Sequence, residues 1–168
     1  MGAGPEQHGV IDNDWEREEH SLPPVVAGEE GIFPTIFGLI RSQKPDAEIG
    51  TVYHWGGFGR LFEKKAVNYD KHFSTEDSTA ADFTTYIKEK KPTFGFVHFD
   101  HVDHAGHHDG HGTPAYYAAV SKTDSLVKEV LKSIKDAGID QNTLVIITAD
   151  HGGIGKGHGD PTPGEGEM

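Results

Sequence analysis

The spacing of hydrophobic positions changes several times along the chain, and each change marks an element. Residues 1–31 are rich in Gly, Pro, Asp and Glu without a clear period, which predicts loop, extended at Pro23-Pro24. Over 32–42, Phe33, Ile36, Phe37 and Ile40 recur at helical spacing and predict a short helix. Residues 48–55 (EIGTVYHW) are dense in strand formers and predict a strand, which Gly56-Gly57 breaks. A short helix is expected over 58–65 and a short strand within 66–73. Over 74–90, Phe83 and Ile87 stand four apart and predict a helix, with Ser74 as its N-cap and Asp77 at the capping-box position. Pro92 stops it.

The second half repeats the alternation. Residues 93–100 (TFGFVHFD) are nearly continuously apolar and predict a strand buried on both faces. Residues 101–112 read as loop. Thr113-Pro114 then opens a long helix, with an N-cap and a proline in its first turn. Its apolar stripe is read as Val120, Val127, Leu131 and Ile134, and Gly138 ends it. Residues 144–148 (LVIIT) predict another buried strand. Helix alternating with strand predicts an α/β class, a mainly parallel central sheet flanked by helices. At 168 residues the chain is one domain, 1–168.

Composition narrows the function. A net charge of −12 argues against a nucleic-acid-coating protein and suits one that gathers divalent cations. Without cysteine there are no disulfides and no thiolate metal sites. No apolar run approaches the ~20 residues that span a bilayer. The opening Met-Gly-Ala-Gly-Pro shows no signal-peptide pattern.

The candidate chemistry lies in two stretches. In the first, six of the fourteen residues 98–111 are histidine, and Asp103-His104-Ala105-Gly106-His107 sits inside that run. The second is Asp150-His151-Gly152, followed by His158-Gly159. Each follows a predicted strand, where an open α/β sheet places its ligands. Aspartate and histidine together hold Zn²⁺-type ions without cysteine. Asp103 and His107 stand four apart, so one helical turn or compact loop brings both to one side. Asp150 and His151 suit a strand end facing a cleft, and His158 lies in a Gly-rich loop able to fold back as a further ligand. Such a set suits a two-metal hydrolase, whose paired ions serve an in-line displacement at phosphorus.

Other readings stay open. Asp100 and His104 are also four apart, although Gly106 before His107 lets the backbone turn close to an ion and favours Asp103/His107. His101, His104, His108 and His111 would stand behind the ion or face substrate. His98, inside a strand, reads as structural, and His8, His20, His54 and His72 as ordinary surface or core residues. Asp124 lies on the apolar stripe of the long helix, where a buried Asp needs partners. Trp55 reads as core, Asn13 as a loop residue and Lys156 as solvated surface; each has a substrate-facing alternative. The segment Gly153–His158 resembles a phosphate loop but has no Ser or Thr after its lysine. A histidine-rich tract that binds metal without catalysis is the competing class.

On these residues the chain resembles the alkaline phosphatase superfamily, in its type I phosphodiesterase/nucleotide pyrophosphatase-like branch. That branch carries D-x-x-G-H after one strand and D-H-G after another, here Asp103–His107 and Asp150–Gly152. Gly2 to Val10 resembles its T-G-x-x-P-x-x-H-G-I segment. The resemblance implies an alkaline-phosphatase-like fold and metal-dependent hydrolysis of phosphoric esters. It implies two divalent ions, Zn²⁺ with Mn²⁺ as alternative. Asp103 and His107 would hold one, with a third ligand that is either His158 or a residue past the chain's end; Asp150 and His151 would hold the other. A small phosphate or sulfate ester is the expected substrate, so a sulfatase or phosphomonoesterase of the same superfamily is the nearest alternative. The family's nucleophilic Thr or Ser and its first metal Asp lie upstream of the segment that Gly2–Val10 resembles. The nucleophile is therefore expected upstream of Met1, with no catalytic residue within 1–168. The expectation is a domain incomplete at both ends and inactive in isolation, with a periplasmic or secreted parent by analogy.

Overall fold

The computed structural model describes residues 2–158 apart from His20 and Glu29. Its centre is β1 (Ile49–Tyr53), buried at every position. Here β-branched and aromatic side chains fit a pleat packed on both faces. β1 lies between β2 (Tyr69–His72) and β3 (Phe94–His98), parallel to both, with Thr51 opposite Asp70 on one side and Phe96 on the other.

Alternation along β1 divides the core. Ile49 and Tyr53 meet Phe37, Ala47, Phe62 and Ala66, while Val52 meets Phe83, Tyr86, Ile87, Val130 and Ile134. Phe37 comes from α2 (Ile36–Gln43), which Thr35 caps by accepting from the Phe37 N–H. Its ring lies 4.9–6.5 Å from those of Phe58, Phe62, Phe94 and Phe96. The second face is covered by α3 (Glu76–Lys90), and α5 (Pro114–Asp136) packs on α3. Gly50 lets the Tyr86 ring lie against the strand, since a Cβ there would sit 2.4 Å from it. The Tyr86 hydroxyl donates to Glu48 at 3.0 Å.

Several expectations change. Residues 5–8 form a one-turn helix, α1 (Pro5–His8), inside the expected loop. The helix expected over 58–65 is two 3₁₀ turns, Gly56–Arg60 and Lys64–Ala66, because the glycines enter the first turn. Thr75, not Ser74, caps α3 and accepts from Ser78 N–H. Residues 101–112 are not loop throughout: α4 (His101–Asp109) forms there, its lack of an apolar period having hidden it. α5 buries Ala119, Leu126, Val130 and Ile134, one step behind most of the expected stripe, and leaves Val120 and Leu131 exposed. Both rows keep helical spacing, so only the packing against α3 and α4 chooses between them. Asp124 accordingly stands exposed.

β3 is a sheet edge among the described residues and only half buried, with Gly95 exposed, rather than buried on both faces. Residues 144–148 pair with no strand among them, and Leu144, Ile146 and Ile147 are 84%, 78% and 69% exposed. Strand propensity yields a strand only where a neighbour supplies ladder partners, and this segment makes no ladder with either sheet edge. Met1, upstream of which the nucleophile is expected, lies outside the described residues, as do His20 and the tail from Gly159. No helix of the described residues is long and apolar enough to cross a membrane.

Candidate metal centre

β3 ends at His98, and the chain turns within two residues into α4. One turn of α4 separates Asp103 from His107, and His107 Nε2 lies 3.5 Å from Asp103 Oδ2. The segment 150–158 folds back over this helix. It brings His158 Nε2 to 3.5 Å and His151 Nε2 to 4.0 Å from Asp103 Oδ1, with Asp150 Oδ2 3.6 Å from His151 Nε2. Asp103, His151 and His158 each offer a ligand atom within 4.8 Å of the others.

The hydrogen bonds orient the rings. His107 Nδ1 meets the Lys156 carbonyl at 2.9 Å, and His151 Nδ1 meets the Gly152 carbonyl at 2.9 Å. A carbonyl only accepts, so each Nδ1 carries a hydrogen, and in a neutral ring each Nε2 is then a lone pair facing the carboxylates. In that tautomer acceptors face acceptors. Asp103 Oδ1 is shut off from solvent and accepts no hydrogen bond. Burial holds the His158 imidazole below its usual 6.5, His151 adds to this, and Asp103 opposes it. A neutral imidazole is the form that binds a cation. Ligands on Zn–N and Zn–O bonds of 2.0–2.2 Å stand roughly 3.3 Å apart; here the histidine nitrogens stand 3.5–4.0 Å from the Asp103 oxygens, a little wider. An orphaned carboxylate oxygen among imidazole lone pairs fits a divalent cation.

Two features hold the segment 150–158 in place. Lys156 Nζ donates to the His108 carbonyl at 2.8 Å, so this lysine is tied to α4. His111 is the wedge. Its backbone N–H donates to Gly155 O at 2.7 Å, and its Nδ1 meets the same oxygen at 3.2 Å. Its ring fits between Gly106 and Gly153, where added Cβ atoms would come within 2.4 and 2.1 Å of Nε2. Sequence reasoning left the role of His111 open; only the paired glycines on either side of the ring reveal it.

Of the five expected residues, Asp103, His151 and His158 come together as one group; His107 adjoins it through Asp103 and Asp150 through His151, so His151 sits with Asp103 and His158 rather than in a separate site with Asp150. Asp100 does not join them; it faces His54 at 3.9 Å, while His104 and His108 are exposed. His98 stacks on Phe58 at 5.7 Å, and burial holds its imidazole low, against the pull of Asp100 and Asp150. Trp55 packs 6.4 Å from the same ring. Asn13 is exposed, and its carbonyl accepts from Arg60.

Residues 40–155 match the type I phosphodiesterase / nucleotide pyrophosphatase family. The chain is 23% identical over 161 residues to the mouse ectonucleotide pyrophosphatase/phosphodiesterase family member 1, covering 90% of this chain and 18% of that protein. It is 26% identical over 93 residues to the human family member 5, covering 55% of this chain and 20% of that protein. Among solved structures, murine ectonucleotide pyrophosphatase/phosphodiesterase 5 superposes with a TM-score of 0.63 at 22% identity, over 88% of this chain and 42% of that one. An inactive form of the same murine protein, in complex with AMP, gives 0.56 at 20% identity, over 81% and 38%. The shared fold is the alkaline-phosphatase-like α/β fold. The chain spans about a fifth of the length of these curated relatives.

Proposed function

The chain belongs to the type I phosphodiesterase / nucleotide pyrophosphatase family, and from that premise we propose that it is the metal-holding part of a hydrolase that cleaves phosphoric esters. The observation that carries this reading is the Asp103 carboxylate, its Oδ1 buried without a hydrogen bond, with three imidazole Nε2 atoms around it. Asp103 is the shared group: Oδ2 turns toward His107, and Oδ1 toward His151 and His158. Asp150 stands beside His151 and adds a second carboxylate. A divalent pair bound here, Zn²⁺ or alternatively Mn²⁺, would supply positive charge to polarise a phosphoryl oxygen and to activate a nucleophile.

The chain's own residues prepare that centre. The Lys156 and Gly152 carbonyls hold His107 and His151 in the tautomer that leaves Nε2 free. The two carboxylates offset the charge that would otherwise repel a second cation. The AMP in the inactive structural neighbour supports a nucleotide-type phosphate ester as substrate. The prefix ecto- borne by the curated relatives supports a parent that works outside the cell.

The test is a Zn²⁺ titration of the full chain against a chromophoric chelator. The expected result is tight binding that Asp103→Ala abolishes at this centre and that Asp150→Ala reduces by one ion. Several weakly held ions, indifferent to both changes, would replace this reading with that of a histidine-rich scavenger.

A further inference from the structure

A second group of ligand atoms lies beyond the Asp103 cluster. His54 follows β1 directly, Glu76 is the first residue of α3, and Asp100 and His101 mark the start of α4. Three separate segments thus meet at the C-terminal ends of β1 and β3, the edge where open α/β sheets bind ligands. His54 Nδ1 lies 3.0 Å from Glu76 Oε1 and 3.9 Å from Asp100 Oδ2, and His101 Nδ1 lies 3.6 Å from the same Glu76 oxygen.

The hydrogen-bond pattern makes this arrangement unusual. His54 Nε2 is 3.1 Å from the Ser74 carbonyl, so Nε2 carries the hydrogen and the Nδ1 of a neutral ring is a lone pair. That lone pair faces two carboxylates. Glu76 is only 9% exposed. Neither Glu76 Oε1 nor His54 Nδ1 touches solvent, and neither makes a hydrogen bond. The 3.0 Å approach therefore brings the atoms close without aiming them at each other. Ligand atoms of a shared cation stand about 3–3.5 Å apart at bond lengths of 2.0–2.1 Å; here His54 and His101 each come within that range or close to it of one Glu76 oxygen, so a small inward turn of the half-exposed His101 ring would complete the set. An unpaired buried polar atom is otherwise costly.

We propose that His54, Glu76 and His101, with Asp100 at the rim, form a further divalent-cation site distinct from the Asp103 cluster. Two imidazoles and carboxylate oxygens select a Zn²⁺-type ion over Ca²⁺ or Mg²⁺, which prefer all-oxygen cages. An ion there would tie the end of β1 and the start of α3 to the first turn of α4. It would thereby brace the helix that carries Asp103 and His107. The competing occupant is a single proton, which would make His54 an imidazolium paired with Glu76.

The experiment compares Zn²⁺ stoichiometry of the full chain with that of Glu76→Gln and His101→Ala. It is followed by ¹⁵N NMR of the His54 ring during the Zn²⁺ titration. The expected result is one ion fewer per chain in each variant, with the ions lost in Asp103→Ala retained. In the unaltered chain the His54 Nδ1 resonance moves on adding Zn²⁺ while the Nε2 hydrogen stays. Unchanged stoichiometry, with both His54 nitrogens protonated throughout the titration, overturns the proposal in favour of the proton. Should Glu76→Gln lose its circular dichroism signature, the half-exposed His101→Ala decides alone.

Discussion

Replacing Gly153 with alanine should loosen the Asp103 cluster while the domain stays folded. The new Cβ would stand 2.1 Å from His111 Nε2, where ordinary contact begins at 3.4 Å, so one side must retreat by about 1.3 Å. The ring is restrained from yielding. Gly106 closes it from behind, with its own added Cβ falling 2.4 Å from the same nitrogen, and Gly155 O holds it at both backbone and ring. The segment that carries His151 and His158 must move instead. Misplacing ligands by about 1 Å, like losing a group that orients them, costs metal affinity about 10–100-fold, or roughly 1.4–2.8 kcal/mol. The assay is Zn²⁺ affinity by chelator competition, with urea unfolding of the metal-free chain as the control for the fold. In a His111→Ala background the ring is gone, and the same Gly153→Ala change should be nearly neutral, a coupling of at least about 1 kcal/mol. A Gly153→Ala affinity within twofold of the unaltered chain, or an equal loss in both backgrounds, would refute the wedge.

Further outcomes are expected elsewhere in the molecule. Gly38→Ala, a change that stabilises an ordinary helix by about 1 kcal/mol, should destabilise here. Its Cβ would meet Glu63 Oε1 at 2.5 Å, and that buried carboxylate is held by the N–H and hydroxyl of Thr35. Denaturant midpoints measured with and without Glu63→Ala read this, and a stabilising Gly38→Ala in the unaltered chain counts against it. For Glu30, burial favours the neutral acid, but the Lys65 and Lys64 N–H groups and Arg17 outweigh it and hold the carboxyl below its usual 4.5. Its contribution is therefore full above about pH 4.5 and fades as pH falls through the lower folded value. Glu30→Gln should make unfolding free energy flatter with pH across that acid window; an identical pH profile contradicts the assignment. Lys91 caps α3 at φ 47° just before Pro92. Lys91→Gly should raise stability by about 0.5–1 kcal/mol, since glycine takes this backbone freely; a lower thermal midpoint would contradict that.

The candidate ligand residues were legible because aspartate and histidine at these spacings suit the holding of a cation, and because turns after strands are where such groups collect. Asp103 was separable from Asp100 by the glycine before His107, and the two carboxylates indeed face different partners. Less was legible where a residue's role depends on what it touches. His54 and Glu76 carried no motif, since they stand 22 positions apart and meet only when α3 starts beside the end of β1. Strand propensity misled at 144–148 for the opposite reason. The residues are strong β-formers, but a strand exists only through a partner's backbone.

By itself, the sequence determined the alternation of helix and strand, the branch of hydrolases that the chain resembles, and which aspartates and histidines were candidates for a cation site. Local spacing and side-chain chemistry suffice for these, because each is settled within a few residues. Tertiary structure alone decided which face of α5 is buried, that α4 is a helix, how His111 wedges the 150–158 segment against it, and that His54 and His101 both approach the same Glu76 oxygen. Each of these depends on contacts between residues distant in the chain, and packing and excluded volume select among the arrangements that local preference leaves open.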